Sequence, residues 1–203
     1  MTVEKGMDWG WREPLPGDGV VCRSDAEARA VIEEAKRKGL ALPSLGLLGG
    51  DLCKTLGGLR EENRLRSEDA VTFPVDLGSA LIDGTIHWFV AHLIARRGWL
   101  RGRFVVAMNA EWLGRWDLGP RAHPGDGLLD VSDGNLTLGE RLKAYPRLKT
   151  GTHLPHPDVR SSRVPAFQVE LRPPLRVHLD GDDLGEAHNL SVRVERDALR
   201  VVV

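Results

Sequence analysis

Two aspartate-glycine segments carry the residues most able to do chemistry. The first reads Pro124-Gly125-Asp126-Gly127-Leu128-Leu129-Asp130 and the second reads Leu179-Asp180-Gly181-Asp182-Asp183. Neighbouring carboxylates raise one another's pKa or recruit a cation, and such a carboxylate can accept the proton of a hydroxyl nucleophile. The first loop could also hold a hard cation through carboxylate and backbone oxygens. Asp and Gly are the usual residues of tight turns, so an ordinary turn is the alternative at both places.

A third segment could bind phosphate. Gly49-Gly50 follows a predicted strand and precedes a predicted helix, where backbone N–H groups could cradle an anion. The sequence contains no P-loop and no Gly-x-Gly-x-x-Gly pattern. The seven histidines show no zinc-site spacing, and we interpret Cys22 and Cys53 as reduced structural thiols.

The composition excludes several classes of function. The 203 residues carry a net charge of −1, without the basic surplus of a general nucleic-acid binder. No apolar run reaches the length of a membrane span, so no transmembrane segment is expected. The first residues lack the apolar core of a signal peptide, which predicts a cytoplasmic protein.

The first 70 residues are predicted to form a small α/β lobe. Residues 1–18 indicate an irregular arm that its tryptophans pin in place. A strand at 19–22, a helix at 25–38 capped by Ser24 or Asp25, a strand at 45–48 and a short helix at 52–56 follow. This order favours parallel pairing of the two strands. Residues 59–70 are interpreted as a polar linker.

Residues 71–203 are predicted to form a larger, mostly antiparallel β lobe, either a sandwich or a barrel. Asp83-Gly84 signals a hairpin, one apolar strand is predicted over 86–94, and a short helix is predicted near 136–143. Further short strands separated by Gly, Pro or Asp continue to residue 203. The fold class predicted for the chain is therefore α+β, with a boundary between residues 70 and 71.

Taken in order, four motifs of the β lobe resemble those of the diacylglycerol kinase-type lipid kinases, in the superfamily that also contains the NAD kinases. Val75-Asp76-Leu77-Gly78 resembles the strand that opens the family's β lobe, and residues 124–131 resemble its Asp-Asp-Gly-Leu-Leu-Asp-Val loop. Residues 148–159 follow its Gly-x-His segment, and residues 179–182 stand where the family carries Asp-Gly-Glu. The resemblance covers roughly residues 73–203.

The resemblance implies roles for particular residues in this lobe. It implies catalytic roles for Asp182 and Asp180, with Asp182 at the position of the acidic residue that acts as base on a lipid hydroxyl. It also implies a magnesium ion bound by Asp126 with the backbone of His123 and Leu128. Gly125 replaces the first Asp of the family's loop.

The N-terminal third resembles the family's nucleotide lobe, and only part of the nucleotide site remains. Asp25 aligns with the central Asp of a Gly-Gly-Asp-Gly-Thr loop whose flanking glycines and threonine are absent here. Gly49, Gly50 and Asp51 correspond to a second, shortened signature. The first βα unit of the usual lobe is also expected to be missing, so we describe this lobe as truncated.

Three functions stay open at this point. The first is an active kinase that uses ATP and Mg²⁺ to phosphorylate the hydroxyl of a diacylglycerol-like lipid. The second is a non-catalytic relative that keeps the β lobe as a lipid-binding or regulatory module, and the third is a kinase for a nucleotide or sugar. Peripheral membrane contact and a homodimer built on apolar strands are further expectations. An open cleft between Asp25, Asp51 and Asp182 would favour catalysis, whereas a loop 23–27 closed over the phosphate site would favour binding alone.

Overall fold

The structure, a computed structural model, describes residues 9–98, 100 and 102–203. Residues 1–8 of the predicted arm lie outside the described residues. The rest of the arm is held by Trp9, whose ring packs against Phe73 at 4.8 Å between centroids and whose Nε1 donates to the Pro74 carbonyl. Strand β1 (Trp11–Arg12) then pairs with the strand that opens the β lobe.

The predicted α/β lobe is present. It comprises β2 (Val20–Cys22), α1 (Asp25–Lys38), β3 (Leu45–Leu47) and α2 (Gly50–Thr55), and β2 and β3 pair in parallel as expected. Helix α1 begins where the Ser24 hydroxyl accepts from the Glu27 N–H, and it ends where Gly39 adopts a left-handed conformation. The predicted linker contains a further short helix, α3 (Glu62–Leu65).

The β lobe consists of long antiparallel strands together with one helix and one 3-10 turn. Its elements are β4 (Val71–Ile82), β5 (Thr85–Phe89), β6 (His92–Arg96), β7 (Gly102–Met108), β8 (Trp112–Leu113), β9 (Trp116–Asp117), β10 (Leu129–Leu136), α4 (Leu138–Ala144), a 3-10 helix (Tyr145–Lys149), β11 (Val159–Val164), β12 (Ala166–Leu179) and β13 (Asp182–Val202). The Asp83-Gly84 hairpin between β4 and β5 is confirmed, with both residues at positive φ.

One sheet contains most of these strands and curls around a core. Its order is β1-β4-β13-β12-β6-β7-β10-β11, with β5 on β4 and with β2 and β3 joined through β13. Buried side chains of β4 and β10, which stand far apart in this order, belong to the same cluster. The two halves of the sheet therefore face each other as a sandwich, and the α+β class is confirmed.

A second core lies between the helices and the sheet. Ala28 and Ile32 of α1 pack there with Leu52 of α2, against Val75 of β4 and Val201 of β13. Strand β13 runs on from the sandwich and pairs in parallel with β3. The two predicted parts of the chain thus share one continuous sheet. Within the described residues, no helix is long and apolar enough to cross a membrane.

Candidate functional site

Asp180 organises the centre of the molecule. It lies in the β12–β13 turn at positive φ, and its carboxylate is buried. Its two oxygens accept the backbone N–H groups of Val90, Ala91 and His92 at 2.8, 2.9 and 3.0 Å. These N–H groups bond to Asp180 and not to a neighbouring strand. The prediction of a single strand over 86–94 is therefore wrong, because the chain forms β5 and β6 with a break between them. This bonding ties the turn to the start of β6, and the catalytic role that the resemblance implied for Asp180 stays a prediction.

Three further side chains converge beside this turn. The His92 Nε2 lies 3.1 Å from the Asp51 Oδ2, and Asp25 adds a carboxylate oxygen, all within 4.8 Å of one another. Asp25 begins α1, Asp51 lies in the first turn of α2, and His92 begins β6. Two carboxylates and one imidazole form a donor set that suits a divalent cation.

The charge in this cluster is held away from water. Burial, followed by the nearby Asp180, raises the pKa of Asp25 to about 7, against the backbone N–H bonds that it accepts. Burial acts to lower the pKa of His92, but the Asp51 hydrogen bond and the charge of Asp180 outweigh it, so the net shift is upward. The carboxylates beside His92 therefore favour its charged form over its neutral form.

The phosphate cradle predicted at Gly49 and Gly50 is filled by the chain itself. The Asp25 carboxylate accepts the N–H groups of Asp51 and Leu52 at 2.5 and 3.2 Å, which are amides that a phosphate would need. A Cβ atom at Gly49 would overlap the Arg23 carbonyl oxygen, and one at Gly50 would overlap the Asp25 carboxylate. The Asp25 carboxyl group occupies the amides that a phosphate would need, so the residues present do not fit the phosphates of ATP.

Asp182 is ion-paired with helix α1. Its carboxylate pairs with the guanidinium of Arg29, which also contacts Glu33 of the same helix at 2.9 Å. Arg29 is buried whereas Asp182 is about half exposed. The predicted catalytic base is therefore neutralised by α1.

Arginine side chains neutralise the carboxylates of the first Asp-Gly loop. One Asp126 oxygen accepts the Leu128 N–H at 2.9 Å, and the other pairs with the guanidinium of Arg163. The Arg163 Nε also lies 3.1 Å from Asp130, which it faces across the β10–β11 ladder. Arg121 approaches the same carboxylate at 3.9 Å.

The resemblance implied that this loop binds a magnesium ion through Asp126 and the backbone of His123 and Leu128. The His123 carbonyl accepts the Asp126 N–H at 3.3 Å, and both Asp126 oxygens already have partners. The positive charge that a cation would bring is already supplied by Arg163. With Arg163 in place, the set formed by His123, Asp126 and Leu128 offers Mg²⁺ no unpartnered carboxylate oxygen, and the magnesium site stays a prediction.

An apolar cavity of about 290 Å³ lies between the sheet and the α4 region. Its walls include Phe104 of β7, Trp116 of β9, Leu136 of β10 and Leu142 of α4. We call it the tail cavity. It shares Ile94, Arg96, Leu113 and Trp116 with a more open cleft that reaches Gly181 and the histidines His92 and His178.

The charged residues along both spaces are all cationic. Arg96 and Arg141 line the tail cavity, and Arg96 and Arg115 line the cleft. Among the described lining residues of either space there is no aspartate or glutamate. Burial, and then the neighbouring Arg96, lower the pKa of Arg141. The two guanidinium groups therefore repel each other, and the charge of Asp183 offsets part of this repulsion at Arg96. We call the second space the basic cleft.

Comparison with known proteins agrees with this architecture. The family model described as the YegS C-terminal NAD kinase beta sandwich-like domain matches residues 81–203. The chain belongs to this family. No curated protein matches the sequence.

Comparison with solved structures extends the likeness to the N-terminal part of the chain. A protein described as a putative diacylglycerol kinase from Bacillus anthracis str. Sterne superposes with a TM-score of 0.69 at 14% identity, over 91% of this chain and 77% of that one. A further structure of a diacylglycerol kinase from the same organism gives 0.62 at 15% identity, over 91% and 75%. At such identities the likeness shows the fold alone.

In this YegS-type chain, sequence reasoning found one part of the site and missed another. It placed Asp25, Gly49, Gly50 and Asp51 together, and the structure brings them into contact. It treated His92 as one of several scattered histidines, because its strand appeared unbroken. The arginines of the cleft carry no sequence signal either, since only the packing of β6, β8 and β9 collects them.

Proposed function

We propose that this chain binds an anionic lipid with one apolar chain, and that it does not transfer phosphate from ATP. The observation that carries the proposal is the apolar tail cavity, which shares four lining residues with the basic cleft beside it. An amphiphile has the same two-part character, with its hydrocarbon in the first space and its head group in the second.

The size of the tail cavity favours a single hydrocarbon chain. Pockets that bury drug-sized ligands span about 300–1,000 Å³, so a cavity of about 290 Å³ lies at the lower limit. Each buried methylene contributes roughly 0.8 kcal/mol, so eight to ten carbons supply about 6–8 kcal/mol before the costs of binding.

The cationic lining favours a negative head group. A carboxylate or phosphate can bind guanidinium groups through paired, charge-assisted hydrogen bonds. Arg115 donates to the Tyr145 hydroxyl at 2.5 Å, which links the β8–β9 hairpin to the 3-10 helix at the point where the two spaces meet. Arg96 lines both spaces and is the residue best placed to contact a head group there.

The closed loop beside the predicted nucleotide site supports the proposal that the chain does not transfer phosphate from ATP. The Arg23 N–H donates to Glu27 at 2.7 Å, and the Arg23 carbonyl abuts Gly49. This is the closed loop 23–27 that would favour a binding module. With Asp25 on the amides of α2 and Asp182 paired with Arg29, neither the phosphate cradle nor the base is free.

Calorimetry with matched ligands tests the proposal. Decanoate should bind the wild-type protein at least tenfold more tightly than decanol, because a charged hydrogen bond contributes roughly 1.5–3 kcal/mol. Arg96→Gln combined with Arg115→Gln should remove that preference and leave decanol binding in place. Arg172→Gln, on an exposed arginine outside both spaces, is the matched control. Equal affinity of the wild-type protein for decanoate and decanol would contradict the proposal.

Phosphoryl transfer is the second candidate, and one observation favours it. The Asp25, Asp51 and His92 cluster could hold a divalent cation close to the basic cleft, where a kinase would need one. Under our proposal, titration with ATP and Mg²⁺ gives no binding heat and no lipid is phosphorylated. Turnover of a lipid that Asp182→Asn abolishes would establish the kinase and overturn our proposal.

A further inference from the structure

The mouth of the tail cavity collects exposed hydrophobic side chains. Nine large hydrophobic residues are exposed in the described part of the chain, and four of them line this one cavity. They are Leu100, Leu138, Leu142 and Tyr145, with exposures of 66, 47, 65 and 42%. Scattered surface hydrophobics need no explanation, but such a concentration at a cavity mouth indicates an interaction surface.

Three of these residues lie on α4 and the 3-10 helix, two elements that contribute no side chain to the core. No residue of α4 or of the 3-10 helix is buried. Helix α4 is held at its start by a capping box between Thr137 and Glu140, and Arg141 reaches the Gly102 and Leu136 carbonyls. Its apolar face therefore covers the cavity on one side and meets solvent on the other.

Basic residues surround the same side chains. Residues 138–149 contain four basic residues and one acidic residue, a local charge of +3 in a chain of net charge −1. Lys143, Arg147 and Lys149 are exposed. The single acid, Glu140, is engaged by the Thr137 backbone and hydroxyl. The surface therefore offers a cationic face around an apolar centre.

We propose that this surface, formed by Leu100, α4 and the 3-10 helix, docks on a membrane that contains anionic lipid. We call it the basic rim. Weak apolar insertion gives stable membrane attachment only when a second signal accompanies it, and a basic cluster is one such signal. Each Lys or Arg close to an anionic surface contributes roughly 1 kcal/mol. Docking there presents the mouth of the tail cavity to the bilayer, which supplies lipids of the class proposed above.

The docking argument depends on the basic rim, and only the uptake of lipid from the bilayer rests on the proposed function. Charge favours an anionic bilayer over a symmetric dimer through this surface, because a dimer would place two copies of the +3 segment against each other. Apolar tips spaced among lysines and arginines also match an interface in which head groups and acyl chains alternate with depth.

Vesicle co-sedimentation tests the proposal. Wild-type protein should bind vesicles of phosphatidylcholine with one-quarter phosphatidylglycerol, and should bind pure phosphatidylcholine vesicles at least tenfold more weakly. Lys143→Gln with Lys149→Gln should weaken binding by about 25-fold, since each residue accounts for about fivefold. Leu142→Glu should also release the protein. Leu40→Glu is its control, because Leu40 is exposed to a similar degree, 61%, outside the cavity lining.

Each result has one interpretation. Equal binding to both vesicle types, no binding to either, or equal loss in Leu142→Glu and Leu40→Glu would overturn the membrane proposal. A wild-type dimer in light scattering that Leu142→Glu dissociates would overturn it in favour of a second copy of the chain. Decanoate calorimetry separates the two proposals, because the lysine pair lies outside the lining and should leave decanoate affinity unchanged. Vesicle binding without decanoate binding would refute the lipid cavity alone.

Discussion

Replacing Arg163 by methionine should make the first Asp-Gly loop dependent on an added cation. Arg163 supplies the positive charge beside Asp126 and Asp130, and methionine keeps much of its length without that charge. The variant would leave two carboxylates close together in a half-buried loop. Such a pair either destabilises the fold or recruits a cation.

The size of the effect follows from the burial of the three side chains. Asp130 is 9% exposed and Asp126 is 18% exposed, but Arg163 is 34% exposed. Removing one partner of a buried ion pair costs about 3–5 kcal/mol, whereas fully exposed pairs contribute about 0–1 kcal/mol. For this intermediate case we expect a loss of about 2 kcal/mol, which corresponds to a drop in Tm of about 4–8 °C in a chain of this length.

Thermal unfolding with and without 10 mM MgCl₂, at matched ionic strength, measures both parts of the prediction. A variant that binds Mg²⁺ with a Kd near 1 mM would regain about 1.4 kcal/mol, whereas the wild-type protein would regain none. The matched control is Arg160→Met, on the same strand and exposed to solvent. The variant should lose more at pH 8 than at pH 5, because the unpaired carboxylates resist ionisation only in the folded state.

Two results would refute this reasoning. If Mg²⁺ stabilises the wild-type protein as much as the variant, the loop binds a cation despite Arg163. If Arg163→Met and Arg160→Met unfold at the same temperature, Arg163 contributes no more than an ordinary surface arginine.

Two more predictions concern the buried cluster. Since folded Asp25 keeps its proton up to about pH 7 and the unfolded chain loses it near 3.8, the free energy of unfolding should fall as pH rises between these values. The slope is at most about 1.4 kcal/mol per pH unit, and urea titrations of Asp25→Asn should show a flatter profile; an unchanged profile would contradict the assignment. Asp180→Ala leaves the N–H groups of Val90, Ala91 and His92 without their acceptor and should cost at least about 3 kcal/mol by urea denaturation, with Asp180→Asn intermediate. A loss in Asp180→Ala below about 1 kcal/mol would show that water replaces the carboxylate.

Local signals in the sequence predicted the local parts of the fold. Ser24 and Gly39 bracket α1 because a hydroxyl caps the first turn and glycine accepts the left-handed exit. The Asp83-Gly84 hairpin depends on the same kind of local chemistry, since both residues adopt positive φ. In each case the residues that determine the geometry are close neighbours in the chain.

The features that sequence reasoning missed depend on partners distant in the chain. Nothing between residues 86 and 94 signals the strand break, because its cause is Asp180. Likewise, the sequence around Asp126 indicates a cation site. The register of β10 and β11 places Arg163 opposite Asp130, and no local signal in the loop predicts this pairing. A family motif therefore predicted where the carboxylates lie and could not predict what neutralises them.

The length of β13 has a consequence for how this molecule is made. Its early residues complete the sandwich with β12 and β4, and its last residues pair with Leu45 and Gly46 of β3. During synthesis, β3 and the helices α1 and α2 are complete long before their partner strand, β13, leaves the ribosome. Because non-local pairing is slow and exposed apolar surface invites aggregation, the N-terminal unit is the part most in need of chaperone protection until β13 arrives.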